Sequence, residues 1–536
     1  MKLKNKNFLF LSPLLIAFFS VITYWIGYNQ HKKNNDVFNK WKTLDKNIGL
    51  KKISDYEKLL YILSTIEEKY VDSVSTKNLL ELSIKNILKD LDPHSQYMPY
   101  ETSKASTEIL DGHFGGIGIR FMIIRDSLVV INAIKGGPSY RAGIKKRDRI
   151  IEVNGKNIAS VGLQNADVLK LLKGEITSNV SLTIFSPKTN TKKKIKIKRG
   201  IIPLNSISAS LLLNPKIGYI KLSNFSNNSE IEIIEAIESL KKNGMEKLIL
   251  DLRFNGGGYL HAAQGVANQF LDKNQLIVYT EGVNSKKREF YANEDGVFKD
   301  GELVVLVNSL SASASEIVCG ALQDHKRAQI MGRRTFGKGL VQEPITLSDK
   351  SEFRITTSRY YTPSGKCIQK PYGKNVNYDD DIYQRMDNGE LTTNVFLKDS
   401  TKSKQYGEGG IIPDIFIPID TSTSTISFNE FLYTPTLRDF CFDYYEKNQE
   451  QDQGVFDNIM NFNKNFFVND KMVQNLLLNT ETIKMENLIE SEIEELKWRI
   501  KGEIASYYFN ENSKYLIYST EDLDISTAIK YISNTK

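Results

Sequence analysis

At 536 residues the chain is longer than one hydrophobic core usually organises, so several domains are expected. Its 40% hydrophobic, 10% aromatic and 25% charged residues exclude a mainly disordered protein. The formal charge of +7 is spread over a sequence also rich in Asp and Glu, with the excess in short runs such as Lys192–Lys194, which argues against a nucleic-acid partner.

From Phe8 to Tyr28 no residue is charged, and the stretch is about the ~20 residues that cross a bilayer as a helix. Lys2, Lys4 and Lys6 precede it and the pair Tyr24-Trp25 sits near its far end, as interfacial aromatics do. With no A-x-A-like cleavage site near Tyr28, residues 1–30 read as an uncleaved transmembrane anchor in preference to a signal segment. Lys32, Lys33, Lys40 and Lys42 follow the span, so charge alone leaves the topology undecided.

Residues 31–101 form a helical region: Leu59, Leu60, Leu63 and Ile66, then Leu80, Ile84, Ile87, Leu88 and Leu91, recur at spacings of three and four. The pattern stops at Leu91-Asp-Pro-His-Ser95, where Pro93 disfavours helix for Asp92. Within 102–200 the chain turns to short β-like runs (115–119, 128–134, 149–154, 180–185) interrupted by a helical stretch at 164–172, the pattern of a small β-rich module.

Across 201–415 strands alternate with helices: 217–222, 247–252 and 303–307 are strand candidates, and 230–242, 259–271 and 315–324 are helix candidates. Such alternation implies crossovers and a largely parallel sheet, making the whole a multidomain α/β protein. Residues 416–536 form a polar, helical extension in which Leu488, Ile489, Ile493 and Leu496 mark one apolar face, without a motif that assigns a role.

Cys319, Cys367 and Cys441 are too few and too scattered for a disulfide framework or a zinc cluster. His31, His94, His113, His261 and His325 show no metal-ligand spacing, so neither a metal nor another cofactor is expected.

The chemistry concentrates in 201–415. Asn308–Glu316 follows an apolar strand and opens a helix, and such corners lie at the carboxyl edge of a parallel sheet, where active sites of α/β domains form. Ser313 and Glu316 have the spacing of a capping box. Two readings stay open locally: Ser313 only caps the helix, or its hydroxyl is a nucleophile and the first free N–H groups, beginning with Ala314, stabilise an oxyanion.

No histidine follows in a triad arrangement, and a buried lysine can replace one as base. Lys338, between Gly337 and Gly339 and among apolar neighbours, is the candidate; a solvated strand-end lysine is the plain alternative. Gln342 would orient it only if the strand bends or bulges at Gly339. The cluster Asp251–Gly258 also ends a strand and opens a helix, but it lacks both the Walker lysine and the G-x-G-x-x-G spacing. An oxyanion donor from Gly257 or Gly258 suits it better than a phosphate.

The order of Leu91-Asp-Pro-His-Ser95, Phe114-Gly-Gly-Ile-Gly-Ile119, Gly137–Gly143, Asp251–Gly258, Ser311-Ala-Ser-Ala-Ser-Glu316, the Lys338 segment and Tyr360-Tyr-Thr-Pro-Ser-Gly365 resembles the carboxyl-terminal processing (tail-specific) peptidases. The resemblance spans roughly 55–415 and implies a crotonase-like core cutting protein substrates near their C-termini. It implies Ser313 as nucleophile, Lys338 as general base, Gln342 as its partner, and Ala314 with Gly257 or Gly258 as oxyanion hole. It further implies that 102–200 is PDZ-like. Its loop Gly115-Gly116-Ile117-Gly118 would take a substrate carboxylate, and a strand from Ile117 would pair with the tail.

One departure is Arg147, which stands where the family usually has glycine before Asp148 and puts the local turn in question. The resemblance also places the catalytic part in the periplasm, behind a single-pass inner-membrane anchor, and leaves a homo-oligomer or an adaptor open. A non-catalytic PDZ scaffold and a crotonase-like acyl-CoA enzyme are the competing readings; the presence of both Ser313 and Lys338 disfavours the first, and that pair together with the PDZ-like insertion disfavours the second.

Overall fold

The computed structural model describes residues 55–124, 126–373, 376–393, 409–419, 425–432, 434–452, 455–478, 480 and 483–534. The apolar stretch 8–28 lies outside the described residues; among those described, no helix is long and apolar enough to cross a membrane. One unit ends at Ile84 and a second begins at Lys85. The helical periodicity near the N-terminus falls on the helices Asp55–Lys69 and Thr76–Lys89.

The centre of the second unit is a six-stranded sheet in the order Ile207–Leu212, Ile217–Leu222, Lys247–Asp251, Glu302–Val307, Gln329–Gly332, Ile415–Phe416. All neighbours are parallel except the first pair. Parallel neighbours need helical crossovers, which bury both faces and make the strands continuously apolar.

Period-two alternation then decides which helix each residue meets. Leu248, Leu250, Leu303 and Val305 pack with Ile237, Val266 and Val318 of the crossover helices Ser229–Lys242, Leu260–Asn268 and Ala314–Asp324. Ile249, Val304, Leu306 and Met331 face Ile525, Ala528 and Ile532 of the last helix, Leu523–Asn534. Each fully buried Leu, Ile or Val contributes about 1.5–3 kcal/mol, so the final helix is an integral layer of the sheet domain.

A second, antiparallel sheet joins Gln96–Met98, Glu352–Tyr361, Leu276–Gly282 and Ser285–Tyr291, with Leu340–Thr346 also paired to Glu352–Tyr361. The segment that follows Lys338 thus joins this second sheet, whereas the strand before it, Gln329–Gly332, belongs to the first.

The β-rich module is an antiparallel sheet in the order Ile119–Ile124, Ser127–Ala133, Arg149–Val153, Asn179–Ser186, Thr191–Lys198, with the helix Asn165–Leu172 against it. Leu128, Val130, Ile150, Leu182 and Val168 form its core. Arg147 takes the left-handed conformation (φ 73°) that the glycine reading of this turn anticipated. That costs a non-glycine residue about 1–2 kcal/mol. The turn is held from outside: Arg147 N donates to Val130 O at 2.7 Å, and its guanidinium lies 3.4 Å from Glu446 of the helix Thr436–Asp452.

The C-terminal helices build their own core from Phe442, Phe462, Leu496, Ile500 and Ile504, which Met122, Ile124 and Val129 of the β-rich module join. One expectation is corrected here. Leu488 and Ile489 precede the helix Glu490–Tyr508 instead of lying on it, because the Glu492 carboxylate accepts the Ile489 N–H at 3.0 Å and starts the helix after Ile489.

Candidate active site

Ser313 stands at the corner between strand Glu302–Val307 and helix Ala314–Asp324 with φ 57° and ψ −112°, a strained geometry for a residue with a side chain. The corner is stapled to the neighbouring strand end. Asn308 Oδ1 accepts the Phe254 N–H at 3.0 Å, and Ser311 Oγ donates to Leu252 O at 2.9 Å. The Ser313 hydroxyl makes no capping bond; it lies 3.1 Å from the Tyr360 hydroxyl. Burial pushes the Tyr360 phenol up to about 12.

The fully buried Glu316 carboxylate joins the serine corner to the lysine loop. It accepts Ser313 N at 2.8 Å, Thr335 Oγ1 at 2.5 Å, Gly337 N at 2.7 Å and Lys338 N at 2.8 Å. Burial raises its pKa, and these four donors act against that rise.

Lys338 is largely enclosed, and burial, assisted by the Arg354 charge, lowers its ammonium pKa against the pull of Glu316 and Asp92. Among the described residues its Nζ donates no hydrogen bond, and Ser313 Oγ faces Tyr360. Next to it, burial and then the Lys338 charge push the His94 imidazole down to about 4, and His94 Nε2 is 2.8 Å from the Tyr378 hydroxyl. Asp92 accepts His94 N, Ser95 N and Ser95 Oγ, and Ser95 Oγ accepts Thr356 N at 3.1 Å, tying the Asp92–Ser95 turn to the second sheet.

Gln342 lies on a bulged strand, as its expected role required, but the irregularity falls between Val341 and Gln342 and not at Gly339. Its amide donates to Leu340 O at 3.1 Å and Thr356 Oγ1 at 3.3 Å, within reach of the Asp92 turn and not bonded to Lys338.

Gly257 and Gly258 meet the serine corner at very short range. A Cβ on Gly257 would lie 2.8 Å from Ser313 Cβ and 3.0 Å from Ala314 N, and its φ of 103° is closed to side chains. The Gly257 N–H is taken by Asn255 Oδ1 at 2.9 Å. That leaves Gly258 N–H and Ala314 N–H, the latter an orphan donor of the first helical turn, as the better-placed pair for an anion. Buried Asn255 fixes the loop: its carbonyl accepts Ala312 N at 3.0 Å and Ser315 Oγ at 2.9 Å, and its amide donates to Leu222 O at 2.9 Å.

In the β-rich module, Gly115 and Gly116 belong to a ribbon, His113–Gly116 paired with Gly200–Pro203. The strand expected from Ile117 begins at Ile119. Ile117 O accepts Ser139 N at 2.9 Å, Gly118 O accepts Ile134 N at 3.0 Å, and Gly118 has φ 75°, which turns the chain before the strand starts. Ile119–Ile124 is the terminal strand of its sheet, so one of its edges is unpaired by the sheet.

Glu316 as a hub, Tyr360, Asn255 and the Asp92–His94 turn were not read as site residues. Asp92, His94 and Tyr360 lie within the motifs quoted for the family resemblance, but nothing local shows that the turn and the tyrosine converge on Lys338 and Ser313.

Residues 216–382 match peptidase family S41, 129–184 a PDZ domain, 16–102 the activating protease CtpB N-terminal domain, and 427–510 a family of unknown function. The carboxyl-terminal-processing protease of Picosynechococcus sp. is 38% identical over 284 residues, covering 52% of this chain and 67% of that protein. The chain belongs to the carboxyl-terminal processing peptidases of family S41. The carboxy-terminal processing protease CtpB of Bacillus subtilis is 34% identical over 308 residues, covering 57% of this chain and 64% of its relative's length. Among solved structures, a photosystem II D1 C-terminal processing protease aligns over 67% of this chain and 92% of its own at 26% identity and a TM-score of 0.34.

Proposed function

We propose that the chain is a serine endopeptidase that cuts protein substrates near their C-termini outside the cytoplasm, held at the inner membrane by residues 8–28. The observation that carries the reading is Ser313: a nucleophile candidate in a strained corner, its hydroxyl withheld from capping, joined through one buried carboxylate to a lysine whose charged form is disfavoured.

The neutral Lys338 amine takes the Ser313 proton as Oγ bonds to the scissile carbonyl carbon. The carbonyl oxygen becomes an oxyanion facing Ala314 N–H and the glycine loop. The C–N bond then breaks, Lys338 returns its proton to the leaving amine, and water hydrolyses the acyl-enzyme by the same steps. For the first transfer the Ser313 hydroxyl exchanges Tyr360 for Lys338, and the Gln342 side chain leaves Leu340 and Thr356 to steady that amine. The substrate's terminal carboxylate meets the Gly115–Gly118 loop while its last residues add a strand to the open edge of Ile119–Ile124.

The test uses an unfolded protein with an apolar tail and compares Ser313→Ala and Lys338→Ala with the parent chain. Each variant should lose at least ~10³-fold in kcat. Undiminished cleavage by either refutes the dyad. Charged residues at the end of the substrate should slow cutting, and indifference to them removes tail recognition. A parent chain that binds tails and never cuts is the scaffold of the competing reading.

A further inference from the structure

The C-terminal extension reaches the floor of the site with one buried carboxylate. Arg253, at the root of the glycine loop, points its fork back at Asp251, with Nη2 2.7 Å from Oδ2, and donates from Nη1 to Asp522 at 2.9 Å and to Asp524 Oδ2 at 2.9 Å. Arg333, at the root of the lysine loop, donates to Asp524 Oδ1 at 3.0 Å and Oδ2 at 2.8 Å. Arg253, Arg333 and Asp524 are 8%, 8% and 5% exposed. With Lys221 on Asp251 at 3.0 Å, three cations meet Asp251, Asp522 and Asp524, so the buried cluster is balanced.

What these roots control is specific. Two residues beyond Arg253, Asn255 holds Gly257 against Ser313; two beyond Arg333, Thr335 donates to Glu316. Asp524 itself is set by the last helix, whose Ile525, Ala528 and Ile532 are packed on the sheet and whose first turn Asp522 caps through Ile525 N at 3.0 Å.

We infer that Asp524 is a positioning residue for catalysis, one carboxylate from the C-terminal extension that sets the oxyanion loop and the lysine loop relative to each other. The inference rests on the reading of Ser313 and Lys338 as the reacting pair. A displacement of about 1 Å in such loops costs on the order of 10² in rate without removing a single reacting group.

The experiment is made on the full chain with Asp524→Asn, the same shape without the charge, and with Arg333→Gln and Arg333→Lys. Rates are normalised to folded protein by the cooperative thermal transition, and Ser313 reactivity is read independently from its labelling rate by a fluorophosphonate. Asp524→Asn and Arg333→Gln are expected to lower kcat about 10²-fold and labelling in parallel, with KM within twofold and partial recovery in Arg333→Lys. Normal kcat and labelling per folded molecule in Asp524→Asn overturns the inference, as does a change confined to KM. If Asp524→Asn does not fold, the same split is read from Arg333→Lys against the parent. Ser313→Ala in the same assay keeps the two ideas apart: labelling and cleavage that survive it sink the dyad, whatever Asp524 does.

Discussion

Two glycine-rich loops, Gly115–Gly118 at the entry to the β-rich module and Gly256–Gly258 in the peptidase core, are held in different ways. The first hands the chain from a two-stranded ribbon to a terminal strand with an unpaired edge, a surface that can accept another chain. The second is pinned at Gly257, which is buried while Gly256 and Gly258 are exposed: Asn255 binds Gly257, Arg253 and its carboxylates fix the root, and Ser313 leaves Gly257 no room for a single methyl group. A loop that stabilises a transition state needs donors fixed before the reaction begins, and the bonds around Gly257 fix them.

Alanine at the two loops should therefore split the kinetics. Gly257→Ala puts a Cβ 2.8 Å from Ser313 Cβ and 2.9 Å from Ala312 O, at φ 103°, with no flexible neighbour to yield. The expected loss is ~10²–10³-fold in kcat, the size of one lost oxyanion donor. Gly118→Ala, at φ 75°, meets Ile202 Cδ1 at 2.9 Å, the mobile end of a side chain. Left-handed strain of about 1–2 kcal/mol predicts roughly a tenfold rise in KM for a tailed substrate, with kcat kept. Steady-state kinetics on one substrate decide it. If Gly257→Ala changes KM alone, the two loops are not divided as described.

The same division explains what the sequence disclosed. The parallel core was legible because strands buried on both faces write themselves as apolar runs, and Ser313 was legible because it lies between one such run and a helix. Glu316 was visible as a spacing from Ser313, but its bonds to Gly337 and Lys338 reach across |i−j| of 21 and 22 and leave no local pattern. Asp524 is further out of sight, since its arginines are 271 and 191 positions away in a segment without a motif. Gln342 shows the limit of strand geometry: a bulge was required at Gly339 and one exists, but between Val341 and Gln342, and the amide goes to Thr356.

His94 offers a smaller effect with a defined sign. Its imidazole pKa is about 4 in the folded chain against an ordinary 6.5, so an unfolded chain takes up the proton first as pH falls. Stability contributed by the neutral ring is present above 6.5 and is lost as pH drops through that window toward 4. At pH 7, His94→Gln should lower stability by about 1 kcal/mol through the Tyr378 bond, and the deficit should shrink or reverse between pH 6 and 4. Melting temperatures across that range check it, and a pH-independent deficit contradicts the assignment.

The smallest expected effect, Tyr360→Phe, sharpens the comparison most, because it alters the enclosed site without touching its backbone. The Ser313 hydroxyl rests 3.1 Å from the phenol, and the Tyr360 N–H donates to Gly339 O at 2.8 Å, so the ring is held by the lysine loop whatever its oxygen does. A neutral hydrogen bond of this kind is worth about 1 kcal/mol net. If Ser313 exchanges Tyr360 for Lys338 before its proton leaves, that bond belongs to the ground state alone, and its loss should raise kcat by up to about fivefold. Tail dependence should be unchanged, since the PDZ edge is not involved. A tenfold fall in kcat would instead make the phenol a partner of the transition state, and the site would then act through a serine, a lysine and a tyrosine.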